Sequence, residues 1–185
     1  KSHEDALHAF FCSGSPLNVI GGVMMRKDLI DQTRFRTDLF IGEDYFFVYE
    51  NLLKNPNAVF LKQTWYYCRI HDNNTSWDYS FDGFWSRFYR RVLVWKSEQV
   101  LGREEYAARQ KRDAVGVFTS CFRKNKPGSE DCKKMRTVMR EYRKELYPAL
   151  TRGGRAQLMI AIFAPKLYGS FLRVKGRKNS RHTTI

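Results

Sequence analysis

Apolar and polar positions change rhythm near residue 80. Before it, short apolar runs alternate with glycine- and proline-marked breaks. Leu7–Phe11 reads as the end of a helix, and the run Val19-Ile20-Gly21-Gly22-Val23-Met24-Met25 as a short buried strand. Lys27–Gln32 follows as one helical turn. Gly42–Lys54 is a helix, because Phe46, Phe47, Tyr49, Leu52 and Leu53 recur at mixed threes and fours. Asn55-Pro56-Asn57 ends it, since proline cannot continue the hydrogen-bond ladder. Ala58–Leu61 and Thr64–Ile70, rich in β-branched and aromatic residues, read as strands, with a polar loop at His71–Ser76.

From Phe81 onward the spacing is helical. Phe84, Phe88, Val92 and Trp95 form one row, and Phe81, Trp85, Tyr89 and Leu93 a second beside it. A stripe of that width predicts burial against two neighbours. Gly102 closes this helix. A second helix is expected over Arg103–Arg123, with Tyr106, Gln110, Ala114, Val117, Phe118 and Cys121 inward. A third starts at Pro127-Gly128-Ser129-Glu130, faces inward through Met135, Val138, Met139, Tyr142 and Leu146, and ends at Pro148. Arg152-Gly153-Gly154 separates the last segment, which Pro165 kinks or divides. The pattern predicts a mostly helical α+β chain with a few short strands, divided into residues 1–80 and 81–185.

Composition adds a core and a charge gradient. The 185 residues are 43% hydrophobic and 15% aromatic, which excludes general disorder and suits one domain or a compact unit with an appendage. No run is long enough to cross a bilayer: Ala6–Met25 is broken by Ser13-Gly14-Ser15-Pro16 and Gly21-Gly22, and Ala156–Pro165 is about half the length required. Cys12, Cys68, Cys121 and Cys132 are widely spaced without a CxxC pair, so zinc knuckles and a disulfide framework both fit poorly and reduced thiols are expected. Residues 1–80 carry 8 Lys+Arg against 10 Asp+Glu, whereas residues 81–185 carry 25 against 9, so the net +14 is −2 plus +16. Such asymmetry points to an anionic partner for the second half, or to basic residues that merely solvate helix faces. The opening Lys1-Ser2-His3-Glu4-Asp5 resembles neither a signal peptide nor a native start, so the chain reads as a fragment.

One constellation carries chemistry. Arg34-Phe35-Arg36-Thr37-Asp38 leads into Gly42-Glu43-Asp44 at a helix start, and Tyr66-Tyr67-Cys68-Arg69-Ile70-His71 returns after the strands, followed by Ser76. With Gly22-Val23-Met24-Met25-Arg26-Lys27-Asp28-Leu29-Ile30 before it, this order resembles the second half of family 2 glycosyltransferases, over roughly residues 5–80. The resemblance implies the acceptor-side part of a GT-A domain followed by a helical C-terminal region. It implies an inverting transfer of sugar from a nucleotide-sugar donor to a glycan or lipid-linked acceptor, in the synthesis of polysaccharide or cell-surface glycan. Asp44 would be the base that deprotonates the acceptor hydroxyl, and Glu43 would hold the acceptor. His71 would approach the donor diphosphate or its divalent metal, Mn²⁺ or Mg²⁺, and Arg69 would neutralise phosphate oxygens. Each has a plainer reading: Gly-Glu-Asp is also an ordinary acidic helix start, and a histidine after a strand is also a turn residue. The family's nucleotide-binding half, with its Asp-x-Asp metal motif, has no counterpart, because the sequence contains no Asp-x-Asp, P-loop or GxGxxG. The isolated chain is therefore expected to be inactive, with most metal ligands lying outside it.

The last segment adds a location. Leu158–Ala164 with Leu167, Tyr168, Phe171, Leu172 and Val174 is apolar and flanked by Arg152, Arg155, Lys166, Arg173, Lys175, Arg177 and Lys178. It reads either as a core helix with a basic end or as a helix lying in an anionic membrane interface. The second reading fits a cytoplasmic enzyme held peripherally at the inner face of the cell membrane. A rival of another class is a basic helical nucleic-acid-binding module. No recognisable nucleic-acid motif supports it, and nucleic acid is not the expected partner.

Overall fold

Helices account for all the regular structure among the described residues, which in this computed structural model are 3–11, 20–30, 32–54 and 77–170. The chain divides into two compact units, Lys1–Trp77 and Asp78–Ile185. The first contains α1 (His3–Phe11), α2 (Lys27–Ile30) and α3 (Glu43–Lys54). The second contains α4 (Phe81–Val100), α5 (Glu104–Lys124), α6 (Glu130–Glu141), α7 (Arg143–Leu146) and α8 (Arg152–Phe163), followed by a helical stretch at 165–170.

The mostly helical character holds, while no strand occurs among the described residues. Ile20–Gly22, expected within a strand, forms a turn of 3-10 helix, and residues 23–26 are irregular. The run is not buried either, for Met24 is 91% exposed. Two adjacent glycines offer no side chain to pack on a sheet face, and a strand needs a partner. The strands expected at Ala58–Leu61 and Thr64–Ile70 lie outside the described residues.

In the first unit α3 is the central element. Phe10 of α1 packs on it, 4.4 Å from the Tyr45 ring and 6.0 Å from Tyr49. Buried Tyr45, Phe46, Phe47, Val48, Tyr49 and Leu52 supply most of its apolar surface.

The second unit is built around α4. Phe84, Phe88, Val92 and Trp95 are buried as the spacing predicts, and α4 lies against both α5 and α6. The second row, Phe81, Trp85, Tyr89 and Leu93, is half-buried at the margin. The inner face of α5 is Ala107, Gln110, Ala114, Phe118, Cys121 and Phe122, rotated slightly from expectation so that Tyr106 and Val117 are only half-buried.

Local chemistry explains the helix ends. Ser80 caps α4 by accepting from the Gly83 backbone N–H at 3.2 Å, and Asp78 accepts from the Ser80 N–H at 2.8 Å. The boundary anticipated after Ser80 thus falls within this cap. Gly102, at φ 71°, turns the chain between α4 and α5. The same turn is clasped by Arg103, whose guanidinium donates twice to the fully buried Glu98 carboxylate, each at 2.7 Å. Ser129 and Thr151 cap α6 and α8 through the N–H groups of Cys132 and Gly154.

Two expectations for the later helices are revised. The third predicted helix does not run to Pro148. It stops at Glu141, and α7 and a 3-10 turn at Tyr147–Ala149 follow. Gly153-Gly154 is not a separator, because with Thr151 as cap it lies in the first turn of α8, where glycine costs little. Pro165 follows a break at Ala164, so the segment is indeed divided.

Gly83 is required by a close approach. A Cβ there would overlap the Asp78 backbone carbonyl, which also accepts from the Arg87 guanidinium. Gly83→Ala should destabilise the helical unit by about 1–3 kcal/mol in urea unfolding, as overpacking against rigid backbone does. Gly116→Ala, where nothing lies within 4 Å of the added Cβ, should not be destabilising.

Candidate functional site

The chemistry expected of this chain centres on the start of α3. The chain approaches it through Thr33–Asp38, and three contacts lay that segment along the helix. The Thr33 hydroxyl donates to Asn51 Oδ1 at 3.0 Å and accepts from Lys54 Nζ at 3.0 Å, while Asn51 Nδ2 donates to the Phe47 carbonyl at 2.8 Å. Phe35 stacks on Phe47 with ring centroids 4.4 Å apart and planes 11° apart. The Arg36 guanidinium sits 5.3 Å over the Phe46 ring and grips Asp38 through two hydrogen bonds, 2.8 and 2.6 Å. That guanidinium holds the Asp38 carboxyl below the usual carboxylate range.

Gly42 then makes the corner. Its φ of 87° lies in the left-handed region, which favours glycine, and its carbonyl accepts the first helical bond from Phe46 at 3.1 Å. Glu43 and Asp44 therefore stand in the first turn of α3, at the positive end of its dipole. Asp44 Oδ1 accepts from the Tyr45 backbone N–H at 2.7 Å. Both carboxylates are half-buried, so they reach solvent while the aromatic residues after them are enclosed. The arrangement presents carboxylate oxygens that can accept a hydrogen bond from a hydroxyl.

Glu43 and Asp44 are thus brought together on one helix turn, beside the segment expected to accompany them. Arg69 and His71 lie outside the described residues. Among the described residues no three His, Cys, Asp or Glu side chains are grouped to hold a metal ion. Glu43 and Asp44 do not by themselves form such a group. Sequence reasoning missed the Thr33–Asn51–Lys54 network. Its one signal was Asn51, a polar residue standing among the apolar positions of α3.

The cysteines of the second unit carry no chemistry of this kind. Cys121 and Cys132 are free and buried, and burial pushes both thiols above their ordinary value, for Cys121 even against the Arg87 guanidinium 3.3 Å away. Cys12 and Cys68 lie outside the described residues.

No protein-family model matches the chain, and no curated protein or solved structure is significantly similar to it.

Proposed function

We propose that this chain is the acceptor-side part of an inverting glycosyltransferase of family 2, acting with a nucleotide-sugar donor. What supports the reading is the packing of Phe35 and Arg36 on α3, beside the Gly42-Glu43-Asp44 corner with its two solvent-reaching carboxylates. Those are two of the stretches on which the resemblance to that family rests, and they lie together in space as well as in order.

In this reading Asp44 removes the proton from an acceptor hydroxyl as its oxygen attacks the anomeric carbon. The C–O bond to the nucleoside diphosphate breaks on the opposite side, and the pair of electrons leaves with the phosphate. The Tyr45 N–H fixes one oxygen of Asp44 so that the other can face the acceptor. Glu43 holds the acceptor by accepting from a second hydroxyl. Arg69 and His71 serve the departing diphosphate, and a divalent cation, when bound, supplies the remaining positive charge.

The donor half separates this chain from a complete enzyme. The 185-residue chain alone is expected to release no nucleoside diphosphate from any nucleotide sugar. The same chain joined to a nucleotide-binding half with an Asp-x-Asp motif is expected to release it in the presence of acceptor. Turnover by the isolated chain would overturn the division of labour, and an inert joined polypeptide would overturn the activity.

A further inference from the structure

The second unit ends in a surface that its own core does not use. On α8, Leu158, Ala161 and Ile162 are buried, which turns Ile160 and Phe163 outward at 44% and 54% exposure. Beyond the break at Ala164, Tyr168 is buried against Phe122, with ring centroids 5.3 Å apart. Its hydroxyl accepts from Gln157 Nε2 at 2.9 Å and donates to the Thr119 hydroxyl at 3.3 Å. With Tyr168 anchored inward, its neighbour Leu167 is left 69% exposed. The outward residues are therefore held in place by inward ones and do not belong to a fraying end.

Along the sequence, the charge of this segment has one sign. From Arg152 to the C-terminus the sequence has eight Lys or Arg and no Asp or Glu. Arg140 of α6 adds a guanidinium 5.7 Å over the outward Phe163 ring, and Arg136 ties the same helices together by donating to the Ile162 carbonyl at 2.9 Å. Lys166 stands exposed between Phe163 and Leu167 in sequence.

We infer that the outward face of α8 and the turn after it form a docking surface for an anionic lipid bilayer. Ile160, Phe163 and Leu167 enter the boundary between headgroups and acyl chains, while Arg140 and Lys166 meet the lipid phosphates. Apolar side chains at the centre of the basic surface favour lipid over nucleic acid, which would be met by cations and stacked rings but gains nothing from Ile160 or Leu167. No helix among the described residues is long and apolar enough to cross a membrane, so the contact is with one leaflet. This inference is independent of the transferase reading.

The test is flotation of the full 185-residue chain with vesicles of phosphatidylglycerol and phosphatidylcholine, and with phosphatidylcholine vesicles alone. Binding is expected only to the anionic vesicles, weakening as salt is raised. Phe163→Ser with Leu167→Ser should reduce it at least about tenfold, given the apolar area these residues carry. The pair should leave far-UV circular dichroism and the melting temperature unchanged, since both residues are exposed. Lys166→Glu, which alters no apolar residue, should weaken binding at low salt. Absence of anionic-vesicle binding at low salt overturns the inference. So does a double variant that binds as the wild type, the result expected if residues 171–185 cover this face. Equal binding to phosphatidylcholine vesicles, or tight binding to a DNA duplex that the double variant retains, overturns it too.

Discussion

Trp95→Ala is expected to cost the helical unit about 3–5 kcal/mol, the range for deleting a large aromatic from a packed core. Trp95 is fully buried at the centre of α4, with the Phe88 and Tyr142 rings each 6.0 Å away in edge-to-face contact. Removing it leaves a cavity lined by α4 and Tyr142, and helices held by their own hydrogen bonds cannot collapse to fill it. The indole N–H has no hydrogen-bond partner among the described residues. Trp95→Phe therefore forfeits no such bond and should cost less, about 1–2 kcal/mol for the lost volume. Urea unfolding followed by circular dichroism distinguishes them. Val100→Ser, at a position 87% exposed, serves as a control expected to change stability by less than about 0.5 kcal/mol. A Trp95→Ala loss no larger than the control's would show that α4 is not the centre of the unit.

The largest functional effect is expected at Asp44. In the active polypeptide, Asp44→Asn should lower kcat by about 10²–10⁴-fold, the usual contribution of a general base. The substitution preserves geometry, because the amide oxygen can still accept from the Tyr45 N–H. It removes one charge from the helix start, worth about 0.3–1 kcal/mol of stability, too little to unfold the unit. Glu43→Gln should behave differently. If Glu43 holds the acceptor, its loss raises the acceptor KM with a smaller change in kcat, which marks binding shared by ground and transition states. Similar kcat losses at both positions would mean that the roles are not divided this way.

What the sequence revealed tracks the physical origin of each feature. The α4 row from Phe84 to Trp95 was legible because a buried helix face repeats every three or four residues, whatever packs on it. The start of α3 was legible for a related reason, since a glycine followed by two acids and an apolar run encodes both the corner and the helix. The stretch Val19–Met25 misled because an apolar run without periodicity does not distinguish a strand from a turn, and the glycine pair was the stronger signal. The end of α6 was also hidden. Tyr142 fits the apolar repeat but forms its C-cap, with its N–H on the Val138 and Arg140 carbonyls. Contacts between distant positions were the least accessible. Nothing local announces that Thr33 meets Asn51 and Lys54, or that Gln157 and Thr119 converge on the Tyr168 hydroxyl. In the candidate site, Glu43 and Asp44 were singled out by the resemblance, since their local order alone also fits an ordinary acidic helix start. The Arg34–Asp38 segment beside them was named, but how Phe35 and Arg36 pack on α3 was not.

Acceptor-dependent release of nucleoside diphosphate tests the central claim most directly. It is measured on this chain joined to a nucleotide-binding half with an Asp-x-Asp motif, with Asp44 intact and with Asp44→Asn side by side. Release is expected from the first and its near-complete loss from the second, with both proteins equally folded by circular dichroism. Undiminished release from the Asp44→Asn protein, or none from either across nucleotide sugars, would contradict it.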